Sequence, residues 1–155
     1  MKKVKKEYYP GEKFLKEEII WDDNSLHLKR YYFDGSLMSE FITNEEIPYG
    51  IEKEYFESAG GEVYRETVFE NENLDGQVKV FFKSGRIEHN YKVKAQLING
   101  EVKSYYENGV LSKESSWENG SKKGLEKAYD IEGNLIRKTI WDNIIKVEEE
   151  EYIYE

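Results

Sequence analysis

The chain has no cysteine, only two histidines and two prolines among 155 residues, and no apolar run longer than three residues. Without cysteine there are no disulfides, no thiolate nucleophile and no cysteine-based zinc site. His27 and His89 stand far apart and outside any motif, which gives no basis for a histidine metal centre or a Ser/His/Asp triad. Runs such as Ile19-Ile20-Trp21 and Tyr31-Tyr32-Phe33 are too short to cross a bilayer. The basic start MKKVKKEYYPGEK runs into Glu7 and Pro10 with no apolar segment behind it, so it does not read as a signal peptide. The expectation is a soluble, cytoplasmic protein. Aliphatic material is also scarce: at 35% charged and 38% hydrophobic residues, a two-layer globule would be hard to fill. Aromatics, by contrast, are plentiful, and 13 Tyr, 7 Phe and 3 Trp are too many for a disordered chain.

Those aromatics recur. Lysine, any residue, then an aromatic appears at Lys6/Tyr8, Lys29/Tyr31, Lys53/Tyr55, Lys79/Phe81, Lys103/Tyr105 and Lys127/Tyr129, with the aromatics 23, 24, 26, 24 and 24 residues apart. Six residues after the aromatic comes an apolar residue, Phe14, Leu37, Ile87, Leu111 or Leu135; Val63 follows Tyr55 by eight. The two extra residues fall in ESAGG, where Gly60-Gly61 replaces a single glycine, and they account for the 26-residue interval. A later aromatic or apolar position, Trp21, Phe69, Val93, Trp117 or Trp141, closes the unit.

Within a unit, alternating polar and aromatic residues flank FDG, KSG, ENG or IEG, the pattern of a β-hairpin with a tight turn. No stretch has helical periodicity. Each unit therefore reads as strand, turn, strand, loop. Two registers are open at the tips. A two-residue turn at Asn108-Gly109 sets Lys103 opposite Glu114, and one at Asp34-Gly35 sets Lys29 opposite Glu40; a bulged three-residue turn sets Tyr105 opposite Leu111. One such hairpin cannot bury its aromatic face, but a row of them can. Tyr31, Tyr55, Phe81, Tyr105 and Tyr129, with Leu37, Ile87, Leu111 and Leu135, are the expected shared core.

The pattern G-x-x-K-x-Y-Y-x-x-G-x-L-x-x-E followed by W-x-N-G, sharpest in Gly100 to Gly133, resembles the bacterial variant of the MORN repeat. Leu26 at a leading glycine, PGEK at the first tip, and Asp130 and Lys138 in the sixth unit depart from it. The resemblance implies an all-β, elongated single-sheet array of about six antiparallel β-hairpin repeats. In this chain they would span 1–24, 25–49, 50–75, 76–99, 100–123 and 124–147, with a C-terminal capping strand at 148–155, all in one repeat domain. Many bacterial members of the family look like antitoxin or immunity partners of toxins. Others are linked to scaffolding or to membranes.

Enzymatic activity is not expected: the glycines sit at turns rather than in a phosphate-cradling loop, and 32 Asp and Glu make chance carboxylate pairs unavoidable. No cofactor and no metal is expected. The net charge of −9 argues against nucleic acid and anionic membranes and for a protein partner with a basic surface, such as a toxin. On its own the chain is expected to be monomeric. The most acidic unit, 50–75, also has the enlarged tip, which makes Glu57, Glu62, Glu70, Glu72 and Asp75 the candidate partner-binding residues. The acidic run Glu148, Glu149, Glu150 and Glu151 is a second candidate, read first as a cap against end-to-end sheet association.

Overall fold

The computed structural model describes residues 1–155 except Glu12, Ser58, Ala59, Tyr154 and Glu155. It is all-β, with no helix among the described residues. The chain forms two compact units, Met1–Phe69 and Glu70–Glu155. The first holds β1 (Lys3–Tyr8), β2 (Leu15–Trp21), β3 (Leu26–Tyr31), β4 (Leu37–Thr43), β5 (Ile51–Tyr55) and β6 (Val63–Phe69). The second holds β7 (Gly76–Phe81), β8 (Ile87–Lys94), β9 (Leu97–Tyr105), β10 (Leu111–Glu118), β11 (Ser121–Tyr129), β12 (Leu135–Asp142) and β13 (Ile145–Glu151). Within each unit every strand pairs antiparallel with the next in chain order, the succession of hairpins that the repeat spacing predicts.

Both registers weighed for the tips occur, in the same hairpin. Tyr105 is opposite Leu111 and Lys103 is opposite Glu114, because the register shifts between the two pairs and leaves Ser112 as a β-bulge. Tyr31 with Leu37 and Lys29 with Glu40 repeat the arrangement, as do Tyr55 with Val63 and Lys53 with Glu66. The tip of the 31–37 hairpin is closed by Tyr32 N–H to Ser36 carbonyl, enclosing Phe33, Asp34 and Gly35, with Gly35 at φ 89°. Such a left-handed last residue is what a three-residue turn requires. In the 51–69 hairpin the same closure runs from Phe56 N–H to the Glu62 carbonyl. It encloses two residues more, which locates the insertion at the tip; Ser58 and Ala59 lie outside the described residues.

Four expectations are corrected. Tyr8 pairs with Leu15 rather than Phe14, because the PGEK tip is one residue longer; Phe14 is 44% exposed and its ring meets that of Phe33 at a tilt, centroids 5.3 Å apart. The connections between repeats in the second unit are not loops but two-residue turns at Ala95-Gln96, Asn119-Gly120 and Asn143-Ile144, each with both residues at positive φ. The last strand begins at Ile145 and ends at Glu151, not at 148–155, and Tyr154 and Glu155 lie outside the described residues. Finally, the core is not the aromatic row. Tyr31, Tyr55, Phe81, Tyr105 and Tyr129 and their aliphatic partners are only half-buried, whereas Val78, Val80 and Ala128, with Thr67, Ser115, Glu126 and Thr139, are the buried non-glycine residues among those described.

Strand alternation explains that last correction. Val78 and Val80 alternate with Lys79 and Phe81 in β7, and Glu126 and Ala128 alternate with Lys127 and Tyr129 in β11, so the buried residues point to the face opposite the Lys-x-aromatic motif. A sheet with no second layer leaves any large side chain at least partly wet. Most side chains that disappear from solvent are small, and the exception, Glu126, is held by Lys122. At Gly50 (φ 92°) an added Cβ would lie 2.3 Å from Phe41 Cζ, so the glycine lets the Phe41 ring lie flat on the backbone.

Candidate functional site

The motif face carries a charge row. Following paired residues across the first unit gives Lys6, Glu18, Lys29, Glu40, Lys53 and Glu66, one per strand and alternating in sign without a break. In the second unit the row reads Lys79, Asn90, Lys103, Glu114, Lys127, Lys138 and Glu150. Ion pairs form along it at Lys6–Glu18 (3.1 Å) and Lys127–Glu114 (2.8 Å). The motif tyrosines join the row. Tyr129 donates its hydroxyl to Glu114 at 2.9 Å, and Tyr55 donates to Glu40, whose other oxygen lies 2.8 Å from His27 Nε2. The Lys127 ammonium and then the Tyr129 hydroxyl hold the Glu114 carboxyl below the usual range despite its burial. Burial pushes the Glu40 carboxyl up, but Tyr55 and His27 together outweigh it and hold it low. In the first unit the charges of this row neutralise each other and tie repeat to repeat, whereas in the second unit Lys79 faces Asn90 and Lys127 faces Lys138, which leaves the row with an excess of lysine.

The excess acid lies elsewhere. Glu57 is exposed just after β5, and Glu62 immediately precedes β6, its carboxylate lying against Gly60, where an added Cβ would meet Oε1 at 2.3 Å. Glu70 immediately follows β6, and both it and Glu72 are exposed. Glu57 and Glu62 belong to the first unit and Glu70, Glu72 and Asp75 to the second, with the seven residues of β6 between Glu62 and Glu70 in the chain. Asp75 is committed to structure. It accepts from the Asn71 side-chain amide (3.0 Å) and the Ala95 backbone N–H (2.8 Å), and these bonds lower its pKa. Glu148 to Glu151 all lie in β13, every residue of which is exposed. Of these, Glu149 is bound to Lys146 at 3.1 Å and Glu150 accepts from the Tyr152 hydroxyl at 2.6 Å.

Sequence reasoning missed a second set of carboxylates in the first unit. Asp22 and Asp23 follow β2, Glu45 and Glu46 follow β4, and the two loops are joined by a 2.5 Å bond from the Asn24 amide to Glu45. Asp22, Asn24, Ser25, Asn44, Glu45 and Glu46 line an open surface groove with no basic side chain in its wall. Asp22 is held low by the Asn24 N–H and the Ser25 hydroxyl, so it remains ionised. The signal was present in the spacing: Asp22-Asp23, Glu45-Glu46 and Glu70/Glu72 are acidic residues at the same point of three consecutive repeats.

In the second unit Lys122 Nζ lies 4.6 Å from the Trp141 ring and 5.9 Å from Trp117, and it binds Glu126, which is only 4% exposed. The lysine supplies the counter-charge that a buried carboxylate needs. The histidines are likewise engaged within the sheet, His27 with Glu40 and His89 with Ser104 at 2.9 Å. No group of three or more metal-ligating side chains occurs among the described residues. Chemically, exposed carboxylates stand at strand ends and along the β13 edge.

Comparison with known proteins agrees with the repeat geometry. No curated protein matches the chain. Residues 98–119, which take in most of β9, β10 and the first residue of the Asn119-Gly120 turn, match the MORN repeat variant, and this similarity supports reading the chain as a MORN-repeat protein.

Proposed function

We propose that this is a non-enzymatic, protein-binding repeat protein, an antitoxin or immunity partner that occludes a basic surface on a toxin. The observation that carries the reading is the placing of Asp22-Asp23 beside Glu45-Glu46 at one end of the first unit, around a groove with no basic side chain in its wall; the one cation nearby is the Met1 ammonium, 3.7 Å from Asp23 and fully exposed. In the first unit the lysines of the motif face are matched by glutamates of the same row, so the carboxylates at the strand ends stand beyond that neutral row, where a partner can reach them. Glu57 and Glu62, at the opposite end of the first unit's strands, and Glu70 and Glu72, in the second unit, are further exposed carboxylates. Exposed carboxylates of this kind steer a cationic partner and make its association fast and salt-sensitive.

The test is binding kinetics on a partner captured by cross-linking and identified, or on the product of a toxin-like neighbouring gene. Glu45→Lys with Glu46→Lys, and separately Glu70→Lys with Glu72→Lys, should slow association severalfold and flatten its salt dependence. Unchanged rates in both pairs would overturn the reading. Sedimentation with anionic liposomes at low salt, in the absence of any protein partner, would favour a membrane-associated scaffold instead.

A further inference from the structure

The two strands with an unpaired side are opposite in charge. β1 reads KVKKEY and β13 reads IKVEEEE; every residue of both is exposed, and among the described residues no strand pairs with the outer side of either. An unpaired edge presents a row of backbone N–H and C=O groups, a template for another strand. Two copies of β13 would bring four consecutive glutamates against four, and two copies of β1 would bring Lys3, Lys5 and Lys6 against themselves. Like charges directly across a strand pair oppose pairing, and unlike charges favour it. We propose that β1 of one copy adds to β13 of another, so that the chain self-associates through unlike edges.

The sequence offers registers for this in either strand direction. Glu148 can lie opposite Lys5 in antiparallel pairing, with Glu150 opposite Lys3, and Glu151 can lie opposite Lys5 in parallel pairing, with Glu149 opposite Lys3. The charges needed are also available. Among the described residues, Lys3 and Lys5 on one edge, and Glu148 and Glu151 on the other, have no side-chain ion pair or hydrogen bond, whereas Lys6, Glu149 and Glu150 already have one. The glutamates of β13 block only the pairing of like with like. This inference does not rest on the toxin-binding reading, which uses other carboxylates.

Sedimentation velocity of the intact chain at low salt, about 20 mM, tests it. The weight-average mass should rise with concentration, and the rise should disappear as screening increases. Lys3→Glu with Lys5→Glu, and Glu148→Lys with Glu151→Lys, should each weaken association roughly tenfold or more when alone. Mixed in equal amounts, the two variants should associate again, since each now carries the edge complementary to the other's reversed one. Lys3→Gln with Lys5→Gln should weaken association less than the reversal does, and it introduces no new charge, so it keeps the test valid if a reversal perturbs folding. A parent chain that stays monomeric at every concentration, or variants that associate as the parent does, or a folded mixture that does not regain association, would overturn the proposal.

Discussion

Tyr106 donates its hydroxyl to the backbone carbonyl of Tyr129 at 2.8 Å, one repeat further along the chain. Tyr9 makes the same bond to the Tyr31 carbonyl, also at 2.8 Å. The second aromatic of the motif thus fastens its own repeat to the backbone of the next, at the point where the strand leaves for the tip. Tyr106→Phe keeps the ring and removes only the bond, and should cost about 0.5–1.5 kcal/mol in urea unfolding. Phe82→Tyr, at the equivalent place in a repeat that has no hydroxyl, is the converse substitution. If Tyr106→Phe is as stable as the parent, the bond contributes nothing.

Burial predicts a reversal of the expected core hierarchy. Val78 is 3% exposed, whereas the motif leucine Leu111 is only half-buried. Val78→Ala removes two methyl groups from a closed site and should cost about 2 kcal/mol. Leu111→Ala should fall below the roughly 2–5 kcal/mol typical of a fully buried leucine, despite the larger truncation. Thermal melts of the pair decide it: a Leu111→Ala loss well above that of Val78→Ala would restore the aromatic row as the core.

Acid should loosen the motif face. The folded-state pKa values of Glu114 and Glu40 lie below the ordinary carboxylate value, so each contributes stability that is complete above the unfolded pKa of about 4.3. That contribution is lost as pH falls through the lower folded values. Glu114→Gln should therefore be less stable than the parent at neutral pH, and the gap should narrow below about pH 4. Tyr129 has the opposite sense: burial and then the Glu114 bond raise its pKa, so its share holds below the unfolded value of about 10 and fades as pH rises through the folded one. A parent and a Glu114→Gln variant with parallel stability–pH curves between pH 3 and 7 would refute the linkage.

Ile144 occupies a left-handed conformation at φ 69° and is 69% exposed, in the turn where the preceding repeat has Gly120. A β-branched residue is strained there and gains nothing from burial. Ile144→Gly should raise stability by about 1 kcal/mol. A fall in melting temperature would show that the isoleucine makes a favourable contact in solution.

Much of this architecture was legible in the chain because the period could be read from Lys-x-aromatic alone. The insertion at ESAGG, the strands and the tips followed from it. The register was not legible, since Tyr105 opposite Leu111 and Lys103 opposite Glu114 look incompatible until Ser112 is allowed to bulge. The core was misplaced for a related reason: hydrophobicity favours tyrosine and leucine as buried residues, but in a single layer the buried positions go to small side chains such as Ala128 and Thr139. Among the candidate site residues, Asp75 looked like its acidic neighbours. Only geometry shows that its carboxylate is occupied by Asn71 and Ala95, and that Asp22-Asp23 and Glu45-Glu46 lie side by side.

The bulge beside each tip also separates two kinds of inheritance. The Lys53–Glu66 and Tyr55–Val63 pairs survive in the one hairpin whose tip is two residues longer, so loop length and ladder register vary independently. A segment grafted between Asn108 and Gly109 should therefore be displayed as a protruding loop while Tyr105, Leu111, Lys103 and Glu114 keep their partners. An array built this way is a mounting rail: each repeat fixes a position, and its tip is free to carry an epitope, a protease site or a second binding loop without retuning the strands that hold it.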